Sequence, residues 1–148
     1  MQDQDDERVL VIDDSVKTYE YGSDLFGEGL CPRNKDEFVI LTWKEGKIIV
    51  LDRDTLEFKE EFAMPSEAAQ GWGITAVEDG GDGNYKLYMS DSTENMWELN
   101  GDDMTVTDGF VVKDQNGSPV KQVNEIQYVD GFIYGNIWYK DVIIKINP

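Results

Sequence analysis

A glutamate, an asparagine and three tryptophans occupy corresponding positions of a repeated pattern in the sequence. Glu28, Trp72 and Asn124 each begin the first inner strand of a repeat unit, and Trp43 and Trp138 each end the next strand. Side chains at matching positions of a cyclic repeat point toward one axis, so these residues are expected to converge on one pocket. Such a pocket combines proton exchange at a carboxylate with hydrogen bonding at an amide, inside aromatic walls. Packing between repeat units is the alternative role of the tryptophans.

The composition excludes several kinds of chemistry and of partner. The 148 residues include no histidine, so Ser-His-Asp and Cys-His pairs and histidine-ligated zinc or iron are impossible. Proton transfer must fall to carboxylates, lysine, tyrosine or the single cysteine, Cys31, which we expect to be a small buried residue. The 31 acidic against 13 basic residues give a formal charge of −18. A surface this negative repels nucleic-acid backbones and anionic membranes.

Short apolar runs rich in Val, Ile, Tyr and Phe alternate with clusters of Gly, Asn, Asp and Pro, and no segment keeps a helical period. This pattern predicts an all-β protein. The predicted strands lie near residues 8–13, 16–21, 25–31, 37–43, 47–52, 57–62, 72–77, 84–90, 95–100, 104–112, 122–128, 132–138 and 142–147.

An internal repeat indicates how these strands are arranged. A strand that ends in Asp52 is echoed by strands that end in Asn100 and Asn147, at intervals of 48 and 47 residues. Four strands per unit at this period are typical of a β-propeller blade, which is one twisted antiparallel sheet. Sandwiches and closed barrels share the short strands but lack a fixed period. We therefore predict a β-propeller with four-stranded antiparallel blades.

The length allows about three blades, in a single partial propeller domain over residues 1–148. A remnant blade is expected near 8–21, and further units from about 25–62, 72–112 and 122–148. Since propellers usually close with about four to eight blades, closure requires further blades from a longer chain or self-association. The acidic start is unlike a signal peptide, no apolar run is long enough to span a membrane, and no compartment is indicated.

Ordered motifs around the predicted pocket carry a family resemblance. They are Phe26-Gly27-Glu28-Gly29-Leu30, Leu41-Thr42-Trp43-Lys44, Gly71-Trp72-Gly73-Ile74-Thr75 and Val123-Asn124-Glu125-Ile126-Gln127-Tyr128-Val129-Asp130-Gly131, which runs on to Asn136-Ile137-Trp138. In these motifs the chain resembles the middle part of the plant and bacterial glutaminyl-peptide cyclotransferases, or glutamine cyclotransferases, which are five-bladed propellers. Gln127 stands where that family usually has Glu. The family's first-blade Phe-x-Gln-Gly-Leu motif and its last portion, with a site lysine, are absent.

The resemblance implies an acyl transfer within the substrate, in which the α-amine of an N-terminal glutamine attacks its own γ-amide carbonyl and releases ammonia. It implies that Glu28 is the base for the amine and then the acid for the ammonia, with a pKa raised by desolvation. It implies that Asn124 holds the γ-amide or the oxyanion. The implied pocket walls, which keep the substrate folded, are Phe26, Trp43, Trp72 and Trp138.

The implied partner is a peptide or protein with an N-terminal glutamine, and the chemistry requires no metal or cofactor. Members of this family are often secretory or periplasmic. Three alternatives stay open: a non-catalytic propeller module that binds peptides or partner proteins, an inactive fragment of the enzyme, and a calcium-dependent propeller hydrolase that uses the Asp-rich loops. Ammonia release excludes the first two, and activity that survives chelation excludes the third.

Overall fold

Eleven strands and no helix make up the part of the chain that the computed structural model describes, residues 16–81 and 83–148. The strands are β1 (Gly27–Pro32), β2 (Glu37–Thr42), β3 (Lys47–Asp52), β4 (Phe58–Ala63), β5 (Ile74–Asp79), β6 (Asn84–Ser90), β7 (Asn95–Asn100), β8 (Val106–Val111), β9 (Val123–Val129), β10 (Phe132–Ile137) and β11 (Ile143–Ile146).

Consecutive strands pair antiparallel into three sheets, which are the blades of a β-propeller. Blade 1 contains β1–β4, blade 2 contains β5–β8 and blade 3 contains β9–β11, in each case in sequence order across the sheet. The inner strands β1, β5 and β9 lie side by side where neighbouring blades meet. The prediction of an all-β propeller with about three antiparallel blades is therefore confirmed, with three strands rather than four described in blade 3.

Strand alternation gives blade 2 two apolar faces. On β6, Leu87 and Met89 belong to the cluster shared with blade 1, whereas Tyr88 between them belongs to the cluster shared with blade 3. Successive side chains of a strand point to opposite faces of its sheet, so one strand serves both neighbours. We call the contact between blades 1 and 2 the first seam, and the contact between blades 2 and 3 the second seam.

Buried apolar side chains fill both seams and hold the inner strands in place. Cys31 is buried in the first seam, as expected, and its burial, with the nearby charge of Glu125, raises the pKa of the thiol. The other buried members at the first seam are Val39, Leu41, Ile48, Val50, Ile74, Leu87, Met89, Leu99 and Met104. Those at the second seam are Tyr88, Met96, Val112, Val123, Ile126, Ile133, Ile137 and Ile146.

The segment before β1 departs from the sequence prediction. Residues 16–21 form no strand, so the strand predicted there is wrong. Val16 is half exposed, and Tyr19 and Tyr21 contact each other with ring centroids 6.1 Å apart. The local alternation of apolar and polar residues imitates a strand, but a strand also needs a partner edge for its backbone hydrogen bonds. The strand predicted near 8–13, with the first half of the remnant blade, lies outside the described residues.

Candidate functional site

A cavity of about 250 Å³ opens where the inner ends of the three blades meet. Its lining consists of Phe26, Glu28, Trp43, Trp72, Asn124 and Trp138. These are the six site residues that we predicted from the sequence, and the structure brings all of them together. Blade 1 supplies the carboxylate and blade 3 the amide, from β1 and β9 respectively. The geometry thus joins one acid and one amide group in a largely aromatic enclosure.

Two glycines let the inner strands approach closely enough to bring the cavity residues together. A Cβ atom added at Gly29 on β1 would lie 2.8 Å from the backbone nitrogen of Ile74 on β5. A Cβ atom added at Gly73 would lie 2.8 Å from the backbone nitrogen of Ile126 on β9. Both distances are far inside van der Waals contact with main chain, which cannot move aside. The absence of side chains here therefore sets the spacing of the three inner strands.

The aromatic walls form two edge-to-face pairs. The ring centroids of Phe26 and Trp43 are 5.9 Å apart and those of Trp72 and Trp138 are 5.4 Å apart, both in the T-shaped geometry that aromatic quadrupoles favour. Trp72 is buried, whereas Phe26 is 55% and Trp138 41% exposed. The cavity therefore has a fixed back wall and a rim of accessible aromatic surface.

Glu28 lies at the accessible side of the cavity with an exposed side chain. Partial loss of hydration still raises the pKa of its carboxyl above the usual range of a glutamate. Asn124 is half-buried across the cavity and supplies both a donor and an acceptor. The next residue, Glu125, also has a raised pKa, first because of desolvation and further because of the charge of Glu28.

Gln70 is a residue at this site that the sequence argument did not nominate. Its side-chain oxygen accepts hydrogen bonds from the indole nitrogens of Trp43, at 2.8 Å, and Trp72, at 2.9 Å. One amide thus joins walls that belong to successive blades. The available signal was a glutamine two residues before Trp72, which Gln122 repeats two residues before Asn124.

Ser90, at the end of β6, is the second residue that the sequence argument missed. Its buried hydroxyl oxygen accepts from the backbone nitrogen of Gly73, at 2.9 Å, and its proton is donated to the backbone oxygen of Asn124, at 2.8 Å. Ser90 therefore ties the backbone beside Trp72 to the backbone of Asn124, across the second seam. The signal that could have found it is a hydroxyl residue at the end of an otherwise apolar strand.

Among residues 16–81 and 83–148, no group of three or more His, Cys, Asp or Glu side chains is arranged to hold a metal ion. In the same described part of the chain, no helix is long and apolar enough to cross a membrane.

Comparisons with known proteins agree with this architecture. A family model described as Glutamine cyclotransferase matches residues 7–148. The glutaminyl-peptide cyclotransferase of Arabidopsis thaliana is 29% identical over 123 residues, which are 83% of this chain and 35% of that protein. The crystal structure of Myxococcus xanthus glutaminyl cyclase superposes with a TM-score of 0.73 at 26% identity, over 85% of this chain and 50% of that one. This chain thus spans about a third of the curated relative's length.

Proposed function

Because this chain belongs to the glutamine cyclotransferase family, we propose that its cavity binds the N-terminal glutamine of a peptide or protein and converts it to pyroglutamate with release of ammonia. The observation that carries the proposal is the meeting of Glu28 and Asn124 within four aromatic walls. The named relatives are a glutaminyl-peptide cyclotransferase and a glutaminyl cyclase, and they are longer than this chain.

In the proposed reaction, the substrate's neutral α-amine attacks the γ-amide carbonyl, and Glu28 takes the proton that the attacking nitrogen loses. A carbon–nitrogen bond forms to close the five-membered ring, and the bond to the side-chain nitrogen breaks. The same carboxyl then returns the proton to the leaving ammonia, so no proton is gained or lost overall. A raised pKa supports both roles, because a base and acid works best when its pKa approaches the working pH.

Asn124 is proposed to donate its side-chain amide hydrogen to the γ-carbonyl oxygen, where negative charge develops during attack. A donor in a partly dehydrated cavity stabilises such charge more than water does. The backbone of Asn124 is held by the buried hydroxyl of Ser90, so the donor is placed before the substrate arrives.

The aromatic walls are proposed to hold the glutamine side chain folded toward its own amine. An extended glutamine keeps the reacting nitrogen and carbon apart, and a close-fitting apolar enclosure favours the folded, near-attack shape. The buried face of Trp72 forms the back of this enclosure, and the accessible rim at Phe26 and Trp138 leaves room for the rest of the peptide.

A peptide-binding module without turnover is the second candidate. It is favoured by one observation: Glu28 is the only ionisable side chain among the six that line the cavity. A cation that would assist charge development is therefore missing from that lining. In this case the chain binds a peptide with an N-terminal glutamine and releases no ammonia.

The deciding experiment incubates the purified chain with a short N-terminal glutamine peptide and follows loss of one ammonia by mass spectrometry. We expect turnover with the wild type, and a loss of at least about 100-fold with Glu28→Gln, since a general acid–base residue contributes that much. The matched control is Glu57→Gln, an exposed glutamate outside the cavity lining, which is expected to keep full activity. Unchanged turnover in Glu28→Gln contradicts the assignment, and binding without ammonia release favours the module.

A further inference from the structure

Two of the cavity walls, Trp43 and Trp72, come from neighbouring blades, and one side chain lies between them. Trp43 follows β2 of blade 1, and Trp72 precedes β5 of blade 2. Their indole nitrogens both donate to the side-chain oxygen of Gln70. Because both partners are donors, the amide must turn its oxygen toward them, and its orientation is chemically fixed.

This amide closes a continuous aromatic wall. On one side of it stands the pair Phe26–Trp43, and on the other the pair Trp72–Trp138. The Trp43 ring is further held by the Lys44 ammonium group, which lies 3.7 Å from the ring centroid. Gln70 is thus the polar link between an aromatic pair of blade 1 and a second pair that blades 2 and 3 supply.

The backbone around Gln70 is anchored on both sides. The backbone nitrogen of Ala69 donates to the carboxylate of Asp91, at 3.1 Å, and that of Gly71 donates to the backbone oxygen of Trp43, at 3.0 Å. Asp91 is itself buried and also accepts from the indole nitrogen of Trp97, at 2.9 Å. The link therefore starts from a fixed base rather than from a free loop.

Gln70 stands behind the wall and not inside the candidate site. It is absent from the residues that line the candidate cavity, and instead it lines a neighbouring cavity of about 220 Å³ together with Trp43. A residue in this position acts on a substrate through the tryptophans and not by contact with the reacting atoms.

From this geometry we infer that Gln70 is a positioning residue, which sets the distance between Trp43 and Trp72 and so the width of the glutamine-binding cavity. The kinetic part of this inference rests on the proposed function. Loss of the link lets the two pairs separate, so fewer bound substrates are folded for attack. The chemical step then slows while the affinity for the peptide changes less.

The test compares Gln70→Leu, which removes the acceptor at similar volume, with Gln70→Glu, which keeps an acceptor oxygen. The chain has four tryptophans, and their indole ¹H–¹⁵N signals report each hydrogen bond directly. We expect the signals of Trp43 and Trp72 to move in Gln70→Leu and to stay hydrogen-bonded in Gln70→Glu. The Trp97 signal, whose partner is Asp91, stays unchanged in both and shows that the fold is intact.

With an N-terminal glutamine peptide we expect Gln70→Leu to lower kcat about tenfold and to change KM less than about twofold, and Gln70→Glu to retain most of kcat. Unmoved Trp43 and Trp72 signals in Gln70→Leu, or moved signals with wild-type kcat, overturn the inference. If the wild type itself releases no ammonia, the proposed function fails, and the indole signals alone decide whether Gln70 holds the two walls.

Discussion

The two seams of the propeller use polar groups in different ways. At the first seam, Gln70 bonds to the side chains of Trp43 and Trp72. At the second seam, two buried hydroxyl groups of blade 2 bond to the backbone of β9: Ser90 donates to Asn124, and Thr75 accepts from Tyr128. The hydrogen bonds at the first seam therefore hold the indole rings of two cavity walls, whereas those at the second seam hold the backbone of β9.

The difference follows from what each cavity residue has to do. A tryptophan that serves as a wall can have its indole nitrogen occupied, because its ring faces do the packing. An asparagine that receives a substrate must keep its amide free, so its position has to be set through its backbone. The polar hydrogen bonds at each seam therefore act on the part of the cavity residue that the proposed substrate does not use.

The largest expected effect comes from Gly29→Ala and Gly73→Ala. These substitutions test whether the inner strands pack equally closely at the two seams. Each added Cβ atom would lie 2.8 Å from a backbone nitrogen of the next inner strand. We expect each substitution to lower the free energy of unfolding by about 3 kcal/mol or more, since main chain cannot yield as a side chain does. Urea denaturation measures this loss.

The control for these variants is Gly117→Ala. Gly117 has φ +82° and open space around its Cβ position, so it carries only the backbone strain of a left-handed residue, about 1 kcal/mol. If alanine at Gly29 or Gly73 lowers the free energy of unfolding no more than alanine at Gly117, the strands at that seam are free to separate. The two seams then differ in packing as well as in their polar hydrogen bonds.

The second expected effect separates the polar ties themselves. Ser90→Ala leaves the Gly73 nitrogen and the Asn124 oxygen without their buried partner, and an unpaired buried group costs about 1–3 kcal/mol. We expect urea denaturation to show this loss in Ser90→Ala and a smaller one in Gln70→Leu, because Gln70 is only half-buried and water can replace it.

Ser118→Ala is the matched control, since Ser118 is exposed and should change the free energy of unfolding by less than about 0.5 kcal/mol. Equal losses in Ser90→Ala and Ser118→Ala would show that the hydroxyl does not hold β9. The contrast between the two seams would then fail.

The sequence predicted the cavity residues because a cyclic repeat turns matching positions into neighbours in space. Glu28, Trp72 and Asn124 could be found by aligning the units, with no knowledge of any contact. The hydrogen bonds of Gln70 and Ser90 could not be predicted in this way, because they join positions that do not correspond between units. Such hydrogen bonds depend on the angle between blades, which a local sequence pattern does not predict.

The error before β1 has a related cause. Val16, Tyr19 and Tyr21 give a strand-like composition, but composition reports only what fits a pleated surface and not whether a partner edge is present. Strands within a blade are predictable because their neighbours in sequence are their partners. A segment outside the blades does not have a pairing strand next to it in the sequence.

The smallest expected effect concerns two carboxyl groups on inner strands, Glu28 on β1 and Glu125 on β9. Desolvation raises the pKa of both, and the charge of Glu28 adds to the shift at Glu125. A raised pKa means that the folded chain binds the proton more tightly than the unfolded chain. This contribution to stability is complete below the unfolded pKa and is lost as pH rises through the folded pKa.

Glu28→Gln should therefore gain stability over the wild type as pH rises from about 4 toward neutrality, by less than Ser90→Ala loses. Urea denaturation at several pH values measures the trend, with Glu57→Gln as the control for loss of one negative charge. In Glu28→Gln, a carboxyl ¹³C titration should find the pKa of Glu125 lower than in the wild type, because the repelling charge of Glu28 is gone. An unchanged Glu125 midpoint would show that the carboxylates of β1 and β9 do not interact.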